Sequence, residues 1–221
     1  MRKESRSIEK FSKIEFKDFG TLILSQADQE SLEIEADEEL FPELTAEVRG
    51  DTLHLGINDD WFNRIGKVIS SIFNGSNQKV TYTLNFVDLD KISISGKCDL
   101  ACDYLAADSL ELNVSGLGNL AFSQIDCHRL DVRISGRGEF SAAGRAEQQQ
   151  IRISGSGDYQ APDLASQSIR IVISGQGNAT LRVQESLDIT ISGLGQVNYY
   201  GHPKLRQVIS GMGKSKRLNQ E

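Results

Sequence analysis

Leu130-Asp131-Val132-Arg133-Ile134-Ser135-Gly136-Arg137-Gly138 decides the fold. Its first five residues alternate apolar and polar, which is the period of a strand with one buried face. Its last four residues form a Gly-rich corner. The pattern apolar-Ser-Gly-x-Gly recurs with its serine at Ser95, Ser115, Ser135, Ser154, Ser174, Ser192 and Ser210, in steps of 18 to 20 residues. The first copy carries Cys98 where the others have the second Gly. Similar alternation precedes other copies, as in Leu110-Glu111-Leu112-Asn113-Val114 and Leu187-Asp188-Ile189-Thr190-Ile191. A second short alternation follows some of them, as in Ala179-Thr180-Leu181-Arg182-Val183.

Each unit therefore reads as strand, Gly corner, strand, turn. No unit has the 10–12 residues of 3.6 periodicity that a helical solenoid requires, and the Leu-x-x-Leu-x-Leu spacing of leucine-rich repeats is missing. At roughly 3.3 Å per residue, 18–20 residues make a closed coil about 65 Å around. One coil cannot bury its apolar face alone, whereas coils stacked about 4.8 Å apart share a continuous core. The expected fold is all-β: a right-handed single-stranded parallel β-helix, the hand following from the crossover rule. Thirteen of the 20 glycines lie in the seven motifs, where the chain must turn tightly or pass close to the neighbouring coil.

The 221 residues are enough for a core without disulfide or metal staples. A charged fraction of 25% and a hydrophobic fraction of 38% are ordinary for a globular chain. No apolar run approaches the 18 or so residues of a transmembrane helix. Met1-Arg2-Lys3-Glu4-Ser5-Arg6 opens on basic residues without an apolar h-region, so no signal peptide is expected in the sequence as given. The net charge of −7 argues against a general nucleic-acid binder. All of that charge belongs to residues 1–93, and residues 28–47 hold nine acids with no Lys or Arg. Cys98, Cys102 and Cys127 have no C-x-x-C spacing and read as buried thiols, and His54, His128 and His202 form no ligand pattern, so neither a metal site nor a cofactor is expected.

Residues 1–93 read as less regular coils, or a sheet capping one end, with strands at Ile14–Phe16, Thr21–Leu24, Leu32–Ala36 and Thr52–Ile57. Apolar residues at helical spacing from Trp61 to Phe73, with Asp59 or Asp60 as N-cap and Asn74-Gly75 as stop, predict a short amphipathic helical insertion over residues 59–74. Residues 94–213 carry the seven repeats and 214–221 read as a tail, so 1–221 is expected to be a single β-helix domain. Arg49-Gly50-Asp51 reads as an ordinary strand-connecting turn.

The residue after each Ser-Gly-x-Gly is polar: Asp99, Asn119, Glu139, Asp158, Asn178, Gln196 and Lys214. If the registers hold, Asp99 to Gln196 form one column able to hydrogen-bond a repeating sugar. Leu117, Leu194 and Met212 occupy the x position and are expected to point outward, which can mark an interface. No nucleophile–base set or other catalytic arrangement is legible. Glu139 and Asp158 could serve a polysaccharide lyase or hydrolase as acid and base. Gly155-Ser156-Gly157-Asp158 matches only half of a calcium-binding repeat, whose nine-residue period is not found here.

The repeated Ile-Ser-Gly-x-Gly, together with Phe11-Ser12-Lys13-Ile14, Ile34-Glu35-Ala36-Asp37 and Tyr199-Tyr200-Gly201-His202-Pro203, resembles the auto-transporter adhesin head GIN domain family over residues 7–218. The resemblance implies a β-helix in an exported bacterial protein, in the periplasm, at the outer membrane or on the cell surface. Its adhesin name, with the polar column, leads to the expectation of a non-enzymatic adhesin or glycan-binding module whose partner is carbohydrate or another surface protein. It carries over no catalytic residue. A structural spacer or assembly role is the remaining alternative.

Overall fold

The computed structural model describes residues 1–57 and 79–219. The helix expected over 59–74 lies outside the described residues. The N-terminal strands are β1 (Arg2–Arg6), β2 (Lys13–Phe16), β3 (Phe19–Gln26), β4 (Ser31–Ala36), β5 (Leu44–Arg49), β6 (Thr52–Ile57), β7 (Thr81–Phe86) and β8 (Lys91–Ile94). The repeats supply β9 (Lys97–Val114), β10 (Leu117–Ile134), β11 (Arg137–Ile153), β12 (Ser156–Ile173), β13 (Gln176–Ile191), β14 (Leu194–Tyr200), β15 (Lys204–Ile209) and β16 (Lys214–Arg217).

From β9 onward every pairing is parallel, each coil lying on the next in a parallel β-solenoid. The long strands wrap the axis. In β10 the buried positions fall in three runs, Leu120 and Phe122, then Ile125 and Cys127, then Leu130, Val132 and Ile134. Exposed pairs, Ser123-Gln124 and His128-Arg129, separate them, so the coil has three sides. Apolar residues of equal phase stack into internal columns. Val114, Ile134, Ile153, Ile173 and Ile191 form one column and Leu120, Phe140 and Tyr159 another, with the Phe140 and Tyr159 rings stacked at 4.7 Å. Burying one such side chain contributes about 1.5–3 kcal/mol, so the stack is held by many equal terms.

The Ser-Gly corner keeps its register through the whole stack, and the differences in coil length are taken up elsewhere. Register shifts fall at Phe122/Ile125, Ser141/Ala143, Ala161/Ala165 and Ser166/Ser168, all on the other two corners. The reason is contact. Arg137 N donates to Gly116 O at 3.0 Å and Ser156 N to Gly136 O at 3.0 Å, drawing successive corners together. A Cβ at Gly136 would lie 2.0 Å from Gly116 O, and one at Gly155 would lie 2.1 Å from Gly136 O. No side chain fits there.

The N-terminal half joins the stack out of sequence order. β2 and β3 form a coil between β6 and β7 on one side and β8 and β9 on the other. Its corner is Phe16-Lys17-Asp18-Phe19-Gly20, a degenerate copy of the motif. Phe16 pairs Ile94, and a Cβ on Gly96 would lie 1.8 Å from Asp18 O. In the level beneath, Leu55 pairs Phe16 and Thr81 pairs Thr21. Asp18 carries a side chain at the position that is Gly96 in the coil above. Its carboxylate is buried, accepts from Phe19 N at 2.7 Å, and receives the Tyr82 hydroxyl. Beyond this coil the rule changes: β1 pairs β4, β4 pairs β7, and β5 pairs β6, all antiparallel. The β4–β5 connection packs Leu40 and Phe41 into the core and closes this end. At the other end, Lys214–Arg217, read above as the start of a tail, forms β16 and pairs β14.

Two outcomes test this account. Gly155→Ala should destabilise the fold by about 3 kcal/mol or more in chemical unfolding, because the clash is with backbone, whereas the exposed neighbour change Ser156→Ala should stay within about 0.5 kcal/mol. Burial raises the Asp18 carboxyl from 3.8 to about 6. An acid held above its unfolded value binds its proton more tightly in the fold, so Asp18's contribution is complete below about pH 4 and is lost as pH rises through about 6. Wild type compared with Asp18→Asn should therefore lose on the order of 2–3 kcal/mol between pH 4 and 7, a difference that removes the opposite slope of paired carboxylates such as Glu111.

Candidate functional site

The strand that leaves each Ser-Gly corner points its x residue outward, its second Gly inward, and its next residue outward again. Gly157 and Gly177 are buried, and no side chain props this stretch of backbone away from the core. The result is a shallow groove of about 560 Å³ running across the coils. Its floor is the backbone of Gly157, Gly177 and Gly195. One wall is the x row, Ser156, Gln176, Leu194 and Met212; the other is Asp158, Asn178, Gln196 and Lys214.

The predicted polar residues do stand in one column. Asn119 pairs Glu139, Glu139 pairs Asp158, and Asn178 pairs Gln196, which pairs Lys214. Asp99 pairs Thr21 of the N-terminal coil. Two further steps are bridged by side chains: Asn119 Nδ2 donates to Asp99 Oδ1 at 3.1 Å, and Asn178 Nδ2 to Asp158 Oδ1 at 3.1 Å. The Asn178 backbone N–H also reaches Asp158 Oδ1, at 2.8 Å. Gln196 Nε2 turns along its own strand to Asn198 Oδ1 at 2.7 Å. Asp158, Asn178 and Gln196 thus line the groove, while Asp99, Asn119 and Glu139 continue the column beyond it. Among the described residues, no Lys or Arg forms an ion pair with Asp99, Glu139 or Asp158. These carboxylates keep acceptor capacity facing solvent.

The face that enters the Ser-Gly corner is different. There Lys91–Glu111 at 3.2 Å, Arg133–Glu111 at 2.6 Å and Arg152–Asp131 at 3.7 Å tie successive coils by charge, and Arg133–Asp131 at 3.0 Å joins neighbours on one strand. That face pairs its charges; the groove face does not. Sequence reading found the polar wall but not the facing x row as a wall. Leu117, Leu194 and Met212 are outward as expected, at 50%, 40% and 81% exposure, but only the last two line the groove. The signal was the repeated Gly between two outward positions, which marks a bare floor.

The described residues hold no group of three or more His, Cys, Asp and Glu placed to bind a metal. The three cysteines are buried and unpaired with one another, and burial pushes each thiol up to about 12.

A stack of coils with outward side chains repeating at strand spacing belongs to the parallel β-solenoids. Residues 10–203 match the family described as "Putative auto-transporter adhesin, head GIN domain", and the chain belongs to that family. Among solved structures it is similar to a protein of Bacteroides fragilis titled a putative adhesin, at 23% identity, covering 98% of this chain and 96% of that one, with a TM-score of 0.88. It is also similar to a Parabacteroides distasonis protein titled a putative lipid binding protein, at 21% identity, 99% and 96% coverage and a TM-score of 0.74. A Parabacteroides merdae protein titled a putative adhesin matches at 21% identity, 99% and 96% coverage and a TM-score of 0.69. No curated protein matches the chain. At these identities the likeness establishes the shared fold.

The thiol burial has a direct readout. The folded protein should not react with a thiol reagent at pH 8 over minutes, and three equivalents should react in denaturant; fast labelling of the native state would contradict the buried placement.

Proposed function

We propose that this chain is a non-enzymatic module of the bacterial envelope or cell surface that binds carbohydrate along the groove. One observation carries the reading: a column of acid and amide side chains in cross-coil register beside a bare backbone floor, whose acids Asp99, Glu139 and Asp158 form no ion pair among the described residues. Such groups accept and donate hydrogen bonds to hydroxyls at a fixed repeat, as a polymer of sugars presents them. The groove is open and shallow, which suits an extended chain rather than a small buried ligand. The family's name supports an exported adhesin and is consistent with a partner outside the cell. The carboxylates Glu139, exposed, and Asp158, half-buried, stand on adjacent strands, but neither has an ion-pair partner among the described residues that would tune it for acid–base work.

A polysaccharide array followed by affinity electrophoresis tests this. Wild type should be retained by at least one glycan, and the triple change Glu139→Ala, Asp158→Ala, Gln196→Ala should weaken retention at least tenfold with the melting temperature unchanged. No retention by any glycan would overturn the reading. New reducing ends or unsaturated products during incubation would overturn its non-enzymatic part. Retention by lipid vesicles alone would reassign the groove to a different ligand.

A further inference from the structure

The two ends of the solenoid are built differently. At the N-terminal end the β4–β5 connection covers the core, with Leu40 and Phe41 at 4% and 6% exposure. At the C-terminal end the last coil, β15 and β16, pairs only downward, onto β13 and β14. Its inward-phase residues Leu205 and Ile209, which lie on Leu187 and Ile191, remain 41% and 37% exposed. Val208 and Met212 add 57% and 81%. Among the described residues this end is an uncovered core with two free strand edges.

The ends also differ in charge. Residues 1–57 hold seven Lys and Arg against fourteen Asp and Glu, while residues 201–219 hold five Lys and Arg and no acid. None of those five, Lys204, Arg206, Lys214, Lys216 and Arg217, has an ion-pair partner among the described residues. At the capped end, Arg2 and Lys3 are occupied by Glu4, Glu38, Glu33 and Glu35. Asp37, Glu39 and Glu43 on the cap form no ion pair among the described residues, and Glu38 is 83% exposed and only 4.0 Å from its one partner. The repeats between the two ends keep these charges apart along the axis.

We propose that the open, basic C-terminal end docks on the acidic, capped end of a second copy of this chain. Three arguments select that occupant. Two C-terminal ends would bring five unpaired cations against five, so a symmetric contact through them is repelled. A lipid surface would cover the apolar residues but leave the free backbone groups of β15 and β16 without partners, which a protein edge supplies. The acidic cap is the complementary charge, and among the described residues it lies next to a free edge of its own, since β1 and β5 there pair on one side only. Joining unlike ends leaves one of each end free, so the contact repeats and yields open chains rather than a closed dimer. The assembly extends the groove face from copy to copy, and it stands whether or not the groove binds carbohydrate.

Sedimentation velocity tests this with the whole chain from 1 to 100 µM in 50 mM and 500 mM NaCl. Wild type should form a concentration-dependent series of dimers and longer chains that weakens at least tenfold at high salt. The variants Lys214→Glu/Lys216→Glu and Glu38→Lys/Glu39→Lys each spoil one end and should be monomeric, with circular dichroism unchanged. Mixed with each other they should associate again, through the intact acidic cap of the first and the intact basic end of the second, and each mixed with wild type should stop its chains short. A wild-type monomer at 100 µM in low salt would overturn the proposal. So would a dimer that persists in the Lys214→Glu/Lys216→Glu variant, or association unaffected by salt. Cosedimentation with anionic phospholipid vesicles without self-association would also overturn it, and would give the end to a membrane surface. The salt series on wild type keeps the test decisive if a variant fails to fold.

Discussion

Backbone-to-backbone contact at the Ser-Gly corner is the constraint on which the other features rest. Each corner carbonyl accepts a hydrogen bond from the coil above and lies within about 2 Å of where a Cβ at the stacked Gly would be. The corner therefore has one allowed register and one allowed residue. Coils of 18, 19 and 20 residues coexist because the other two corners, lined by exposed side chains, absorb the difference through bulges. With one corner fixed, the phase of every later residue follows. The Val114–Ile191 column stacks inside, and the polar column from Asp99 to Gln196 stacks outside.

The regular pattern ends at the β2–β3 coil. There Asp18 stands where the coil above has Gly96, and its buried carboxylate is satisfied by Tyr82 and the Phe19 N–H. Below that level the chain abandons parallel stacking for antiparallel strands, which return on themselves without a full coil and let Leu40 and Phe41 close the core. The opposite end has no comparable closure among the described residues, so its last coil shows both its apolar interior and its cations.

Much of this was legible in the sequence for a physical reason: a repeat with a fixed period, alternating strands and an invariant small corner permits few folds. The strands at Ile14–Phe16, Thr21–Leu24, Leu32–Ala36 and Thr52–Ile57 were legible from alternation alone. Their order in the stack was not, because a coil made of residues 13–26 lying between residues 52–57 and 81–86 on one side and 91–102 on the other leaves no local trace. The degenerate corner Phe16-Lys17-Asp18-Phe19-Gly20 escaped notice for a related reason. It keeps the apolar residue and the last Gly but loses Ser-Gly, the part of the motif that marks the other corners. The polar wall of the groove was visible as a periodic position, whereas the facing x row was read only as a set of outward apolar residues.

By itself the sequence determined the parallel stack, the corner that sets its register and the phase of the polar column, since each depends on spacing along the chain and on residue size. Tertiary structure alone decided which N-terminal coil lies against which. It also decided that the Gly row is a groove floor, that one face pairs its charges while the other leaves them open, and that among the described residues one end is covered and the other not. These depend on which segments meet across the stack, and contacts between residues separated by 20 to 80 positions leave no signature in local pattern.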